Sequence, residues 1–312
     1  MSQLTDDNIQ DKDYAYWVKS AARASIVVAV LLLVLKIYAW LASDAASMLS
    51  SATDSLLDVF ASVMNFIILR YALMPADDDH RFGHGKAESL AGIVQSSFIL
   101  GSSILLMLHG TSRVLSPVKI ENSTIAIIVS VVAVVVTLAL VMFQRFVIRK
   151  TGSVAISADS LHYQSDLLLN AGVIAALLLT NFVWSGIDGL FTILVGAYLA
   201  YGASKIAMTS INHLMDKELS EEDIKLITET VNKHPDVLGV HDIRTRQAGA
   251  VKFIQFHLEL DDNLPLYQAH QISDEVEANV AMLFESAEIF IHQDPHSMVL
   301  THRMANQTDD TN

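Results

Sequence analysis

The chain has 312 residues, of which 52% are hydrophobic and only 17% charged, with a mean hydropathy of +0.40; an average soluble domain is about 25% charged. Residues 1–213 hold 13 basic and 15 acidic side chains, a net of −2, whereas residues 214–312 hold 7 and 19, a net of −12. That split excludes a single soluble globule, the lack of a basic face excludes a nucleic-acid partner, and the absence of Cys excludes disulfides, thiolate metal sites and cysteine nucleophiles.

In chain order, the first 14 residues are expected to be a disordered extension. Asp6, Asp7, Asp11 and Asp13 stand where a signal peptide would carry basic residues, so no cleaved leader is expected. A bilayer core of about 30 Å needs about 20 mostly apolar residues per helix. Six stretches within residues 15–213 meet that length: Ser20–Leu41, Ala45–Leu73, Leu90–Val114, Ser123–Phe146, Val154–Trp184 and Ile187–Met208. Basic residues of short loops set orientation. Lys12, Lys19 and Arg23 precede the first span, Arg70, Arg81 and Lys86 flank the second loop, and Arg145, Arg149 and Lys150 fill the fourth. The first loop, Ala42–Ser47, and the fifth, Asn181–Gly189, have none; the third, with Arg113 and Lys119, is the exception. Both termini are therefore expected in the cytoplasm, which requires an even number of spans.

From about Ser220 the pattern changes. Ser220-Glu221-Glu222-Asp223 resembles a capping box opening a helix that stops at Pro235. Strand-like runs Val240–Arg246 and Val251–Leu260 flank the turn-prone Ala248-Gly249-Ala250. In the second run Ile254, Phe256, Leu258 and Leu260 alternate with Phe253, Gln255, His257 and Glu259, which puts His257 on the less buried face. A helix from Pro265 to about Phe284 and a strand Ala287–His292 complete the order α-β-β-α-β, a small α+β domain over residues 214–296. Residues 297–312 read as a tail, disordered at Asn306–Asn312.

A carboxylate at mid-membrane costs about 2.5–3.5 kcal/mol, which makes it a functional hypothesis by default. The second span carries Asp54 and Asp58, and the fifth carries His162 and Asp166. Each pair is spaced i, i+4, so its members share one helix face a turn apart. Facing each other, the pairs supply three carboxylates and one imidazole. That set suits a tetrahedral divalent ion, with Zn²⁺ most natural and Cd²⁺, Fe²⁺ or Mn²⁺ also accommodated. The alternative is hydrogen bonding across helices or the lining of a water-filled vestibule. Lys36 and Asp44 are expected to snorkel to the interface. Asp159 is placed near a helix entrance, where it attracts cations without holding them. His109 and His213 read as bystanders near span ends.

The second loop, Pro75-Ala-Asp-Asp-Asp-His-Arg-Phe-Gly-His-Gly-Lys-Ala-Glu88, offers Asp77, His80 and His84 as a three-ligand site, or is simply a solvated polar loop. In the acidic domain His292 and Asp294 lie two apart on a strand and point the same way, while His241 and His257 fall on neighbouring strands. One or two metal ions fit there; surface histidines on a polar sheet face are the alternative. His234, His296 and His302 read as bystanders. With no His-Glu-x-x-His motif, the chain is not expected to be a metalloenzyme.

Taken together, Asp54-Ser-Leu-Leu-Asp58, His162-Tyr-Gln-Ser-Asp166, the loop Asp77-Asp-Asp-His-Arg-Phe-Gly-His-Gly-Lys-Ala-Glu-Ser89 and the ending Ile291-His-Gln-Asp-Pro295 resemble the cation diffusion facilitator family. The resemblance runs from about Ala15 to His296. It implies a homodimer in a bacterial inner membrane that exports Zn²⁺ and related divalent ions from the cytoplasm in exchange for protons. It also implies a transport site of Asp54, Asp58, His162 and Asp166, and a loop site of Asp77, His80 and His84. In the cytoplasmic domain, which resembles a metallochaperone fold, it implies a binuclear site of His241, His257, His270, His292 and Asp294 at the dimer interface. Lys86 and Asp216 correspond to a charge interlock steadying the dimer, and Leu161 to an apolar gate beside the transport site.

Overall fold

The computed structural model describes residues 3–43, 46–116, 124–179 and 187–301. Asp44, Lys119, His302, most of the fifth loop and the Asn306–Asn312 tail lie outside the described residues. The chain divides into two compact units, one spanning Tyr14–Ile211 and the other built on Asn212–Asn312 with Met1–Asp13.

Six long helices match the six apolar stretches: α1 (Gln3–Ser43), α2 (Ala46–Ala72), α3 (Lys86–Leu115), α4 (Thr124–Thr151), α5 (Val154–Leu179) and α6 (Ile187–Leu214). Among the described residues, all but α5 contain a segment long and apolar enough to cross a membrane by length and composition; α5 is the helix that carries Asp159, His162 and Asp166. Helix α1 begins at Gln3, within the stretch read as an extension. Once a helix is nucleated by its apolar part, each added residue gains a hydrogen bond, so a polar extension propagates at little cost.

Polarity in this unit is inverted. Phe98, Tyr38 and Leu105 are among the large apolar side chains turned outward, whereas Ser25, Ser62, Thr137, Gln144 and Asp159 are buried. Backbones approach closely where glycines permit it: a Cβ on Gly110 of α3 would stand 2.7 Å from the Gly189 carbonyl of α6, and one on Gly189 would stand 2.5 Å from the Gly110 carbonyl. The start of α5 is fixed by Glu88 of α3. Its buried carboxylate accepts from Tyr14 Oη at 2.6 Å, Ser153 Oγ at 2.6 Å and the Val154 N–H at 2.9 Å, satisfying an N–H that a helix terminus leaves without a partner.

The second unit follows the expected order: α7 (Glu221–Val231), β1 (Gly239–Ala248), β2 (Val251–Leu260), α8 (Leu266–Ala281) and β3 (Ala287–Pro295). Ser220 caps α7, its Oγ accepting from the Asp223 N–H at 3.1 Å, with three carboxylates in the first turn favouring the positive helix end. The sheet runs β1-β2-β3, antiparallel between β1 and β2 and parallel between β2 and β3. Ile227 and Val231 of α7 and Ile272, Val276 and Val280 of α8 pack on Ile254, Phe256, Leu258 and Leu260 of β2. The opposite face is less open than alternation predicts, because Phe253 and Glu259 are buried too. Residues 296–301 are helical, with Thr301 Oγ1 donating to the Ser297 carbonyl at 2.8 Å, so the stretch read as a tail from residue 297 opens on a helical turn.

Candidate metal centres

In the membrane unit Asp58 of α2 meets His162 and Asp166 of α5, with one ligand atom from each lying within 4.8 Å of the other two. His162 Nε2 stands 3.1 Å from Asp58 Oδ1. Two donors of a tetrahedral ion with bonds of about 2.0 Å sit about 3.3 Å apart, so this pair is already at chelating separation. Glu88 sets where α5 begins, and the i, i+4 spacing then places His162 and Asp166 on its one face. Asp54, a turn before Asp58, is exposed and stands outside this group. Leu161 packs with Ile99 of α3 and Val195, Leu199 and Ala203 of α6; a Cβ on Gly202 would come within 3.0 Å of it.

Two expectations about this unit are corrected. Lys36 does not snorkel outward: its Nζ donates to Ser55 Oγ at 2.6 Å, and Ser55 is buried between Asp54 and Asp58 on α2. An ammonium in an apolar span takes the polar partner within reach, and here that partner is protein. Asp159 does not sit at an open entrance. It is 1% exposed and accepts from Ser25 Oγ at 2.5 Å, Gln144 Nε2 at 2.8 Å and Gln95 Nε2 at 3.2 Å. Four helices thus meet on one carboxylate.

The second loop brings Asp77, His80 and His84 together. Asp77 Oδ1 accepts the N–H groups of Asp79 (3.0 Å) and His80 (2.7 Å) and lies 3.3 Å from His80 Nδ1, while Oδ2 lies 3.3 Å from His84 Nε2. The His80 N–H holds the Asp77 carboxyl below its ordinary value. Gly83, at φ +73°, supplies the left-handed turn that brings His84 back onto the loop. The His84 ring is buried against Tyr71, its Nδ1 lacking a hydrogen-bond partner.

In the second unit the register aligns His241 with His257 and His257 with His292 across three strands. Asp294 is their hub: Oδ2 lies 2.7 Å from His257 Nδ1 and 3.4 Å from His241 Nε2, and Oδ1 lies 3.2 Å from His292 Nε2. His241, His257 and Asp294 form a compact ligand-type group. His270 stands outside it on α8, paired with Asp274 at 3.6 Å. Of the proposed interlock, Lys86 opens α3, while Asp216 accepts from Arg246 at 3.5 Å in the other unit.

Three participants escaped the sequence reading. Asp242, at φ +48° in the irregularity between His241 and Arg244, stands 3.7 Å from His257 Nε2. Glu259, read as one position of a polar face, is fully buried beneath His241. His296, read as a bystander, has Nδ1 3.0 Å from Glu259 Oε2. A His two residues beyond Asp294 was the available signal, but only tertiary structure reveals that its partner is buried.

Comparison with known proteins identifies both units. Residues 22–215 match the cation efflux transmembrane domain and residues 219–296 the cytoplasmic domain of cation efflux proteins. The cation-efflux pump FieF of Shewanella oneidensis is 51% identical over 286 residues, covering 92% of this chain and 97% of its own. Its counterpart from Escherichia fergusonii is 44% identical over 289 residues, covering 93% and 96%. The solved zinc form of CzrB covers 26% of this chain and 94% of its own at 32% identity, with a TM-score of 0.25. A six-helix unit with ligand-type residues inside it, joined to an αββαβ unit with a His/Asp row across its sheet, is thus matched by family along nearly its whole length, and the chain belongs to the cation efflux family.

Proposed function

We propose that this chain is a proton-coupled antiporter that carries Zn²⁺, and also Cd²⁺, Fe²⁺ and Mn²⁺, out of the bacterial cytoplasm across the inner membrane as a homodimer. The observation that carries this reading is the convergence of Asp58, His162 and Asp166 from two helices inside the apolar unit. Asp54, one turn from Asp58, completes a four-donor set when α2 turns it toward α5. Imidazole and carboxylate suit a borderline-soft dication, and all four donors bind it only when deprotonated, so metal and protons compete for the same atoms. His162 is the proton carrier of this exchange, because imidazole changes charge in the physiological range. Rocking of the α2–α5 pair alternates access, with Leu161 as the apolar barrier beside the site. The basic residues of the second and fourth loops support cytoplasmic termini.

The loop residues Asp77, His80 and His84 fit a resident metal, one ligand-type atom from each lying within 4.8 Å of the others. His241, His257, His292 and Asp294, with His270, hold metal in the cytoplasmic domain, where positive charge offsets the net −12 and lets two acidic domains approach. Lys86 and Asp216 steady the same dimer at the membrane surface.

Proteoliposomes with an imposed pH gradient test the reading. Asp58→Ala and His162→Ala should each lower zinc-driven proton flux at least about 100-fold, the cost of removing a ligand or its proton step. Retained flux in both variants would refute the site.

A further inference from the structure

Glu259 is not one of the ligand-type atoms gathered around Asp294, yet each of its carboxylate oxygens faces an imidazole. It is 1% exposed, on the β2 face that carries His257. Its Oε1 lies 3.0 Å from His241 Nδ1 and its Oε2 lies 3.0 Å from His296 Nδ1. Space for it depends on Gly239, where a Cβ would meet the carboxyl carbon at 2.9 Å and both oxygens at 3.0–3.1 Å. An ionised carboxylate only accepts hydrogen bonds, so each Nδ1 facing it carries the hydrogen. Neutral His241 then has its lone pair on Nε2, the atom 3.4 Å from Asp294 Oδ2. Two acceptors face each other at that point, and a dication between them removes the repulsion.

We propose that Glu259 is a positioning residue that fixes the tautomer and ring orientation of His241, so that Nε2 is presented with Asp294 to a divalent metal ion. His296 braces the same carboxylate from the opposite side and ties the helical turn 296–301 to the metal site. Ligating imidazoles are commonly oriented by a carboxylate on their other nitrogen, and removing that partner costs about 10–100-fold in metal affinity. The inference rests on the cytoplasmic metal site proposed above.

The test uses the full chain in detergent with ¹⁵N-labelled histidine. Long-range ¹H–¹⁵N spectra, assigned through His241→Asn, read the tautomer, and zinc titration reads affinity. In the unsubstituted chain His241 should be protonated at Nδ1 before zinc is added. Glu259→Leu should mix the two His241 tautomers and weaken the cytoplasmic zinc step about 10–100-fold, while Glu259→Gln, which keeps one acceptor oxygen, should restore most of both. Should Glu259→Leu fail to fold, Gly239→Ala tests the same contact by pressing a methyl group on the carboxyl, and should give the same tautomer mixing. An unmixed Nδ1–H tautomer in either folded variant, or unchanged zinc affinity with Glu259→Leu, overturns the role. Unchanged zinc binding in His241→Ala removes the site itself and the role with it.

Discussion

The two units of this chain solve the burial problem in opposite ways. The cytoplasmic unit hides Phe256, Ile254 and Leu258 between its sheet and two helices and leaves its ligand-type residues on the other sheet face. The membrane unit turns Phe98, Leu105 and Tyr38 outward and buries Asp159, Gln144 and Ser25. The apolar surroundings of a bilayer give no hydrophobic reason to bury apolar groups, so helices there associate through small residues and polar contacts. A carboxylate in such an interior is conspicuous because every alternative position is lipid. On a sheet facing water a carboxylate is ordinary, and only its neighbours make it meaningful.

Three measurements would break or sharpen this contrast, in descending order of effect. Phe256→Ala should destabilise the cytoplasmic unit by about 3–5 kcal/mol, whereas Phe98→Ala, at a 74% exposed position, should change stability by no more than about 0.5 kcal/mol. Comparable losses on denaturant or thermal unfolding would erase the distinction. Next, Asp159→Leu leaves the donors of Ser25, Gln144 and Gln95 without their acceptor in the membrane unit, and should cost about 1–3 kcal/mol. A Leu variant as stable as the unsubstituted chain would mean that the polar core is dispensable. The smallest effect concerns the loop. Asp77 has a folded pKa below its ordinary value of 3.8, so its contribution to stability is present above that value and is lost only as pH falls through the lower, folded one. Loop metal lost on acidification above about pH 4 is therefore not lost through protonation of Asp77. In a pH titration of loop-bound zinc, Asp77→Asn should lower affinity without moving that loss; a displaced midpoint would show that Asp77 is the titrating group.

Much of the architecture was legible along the chain because its signals are local. Apolar stretches of bilayer length marked the helices, the Ser220 cap marked α7, and alternation marked β2. The i, i+4 pairs were legible for the same reason, since helical spacing alone places Asp54 with Asp58 and His162 with Asp166 on common faces. Less legible were groups whose partners lie far away in sequence. Lys36 looked like a snorkelling lysine until Ser55 stood beside it, and Asp159 looked like an entrance residue until three helices supplied its donors. His296 looked like a bystander because nothing near it in sequence announces Glu259.

The sequence by itself determined where the long helices fall, which residues share a face and which chemistry those residues can offer, because backbone periodicity acts over a few residues. Tertiary structure alone decided that Asp58 rather than Asp54 meets His162, that Asp294 is the hub of three strands, and that Glu259 is buried with an imidazole on each oxygen. Those outcomes depend on how helices and strands pack at long range, where one turn or one register step changes which atoms come within 3 Å, a distance no local pattern encodes.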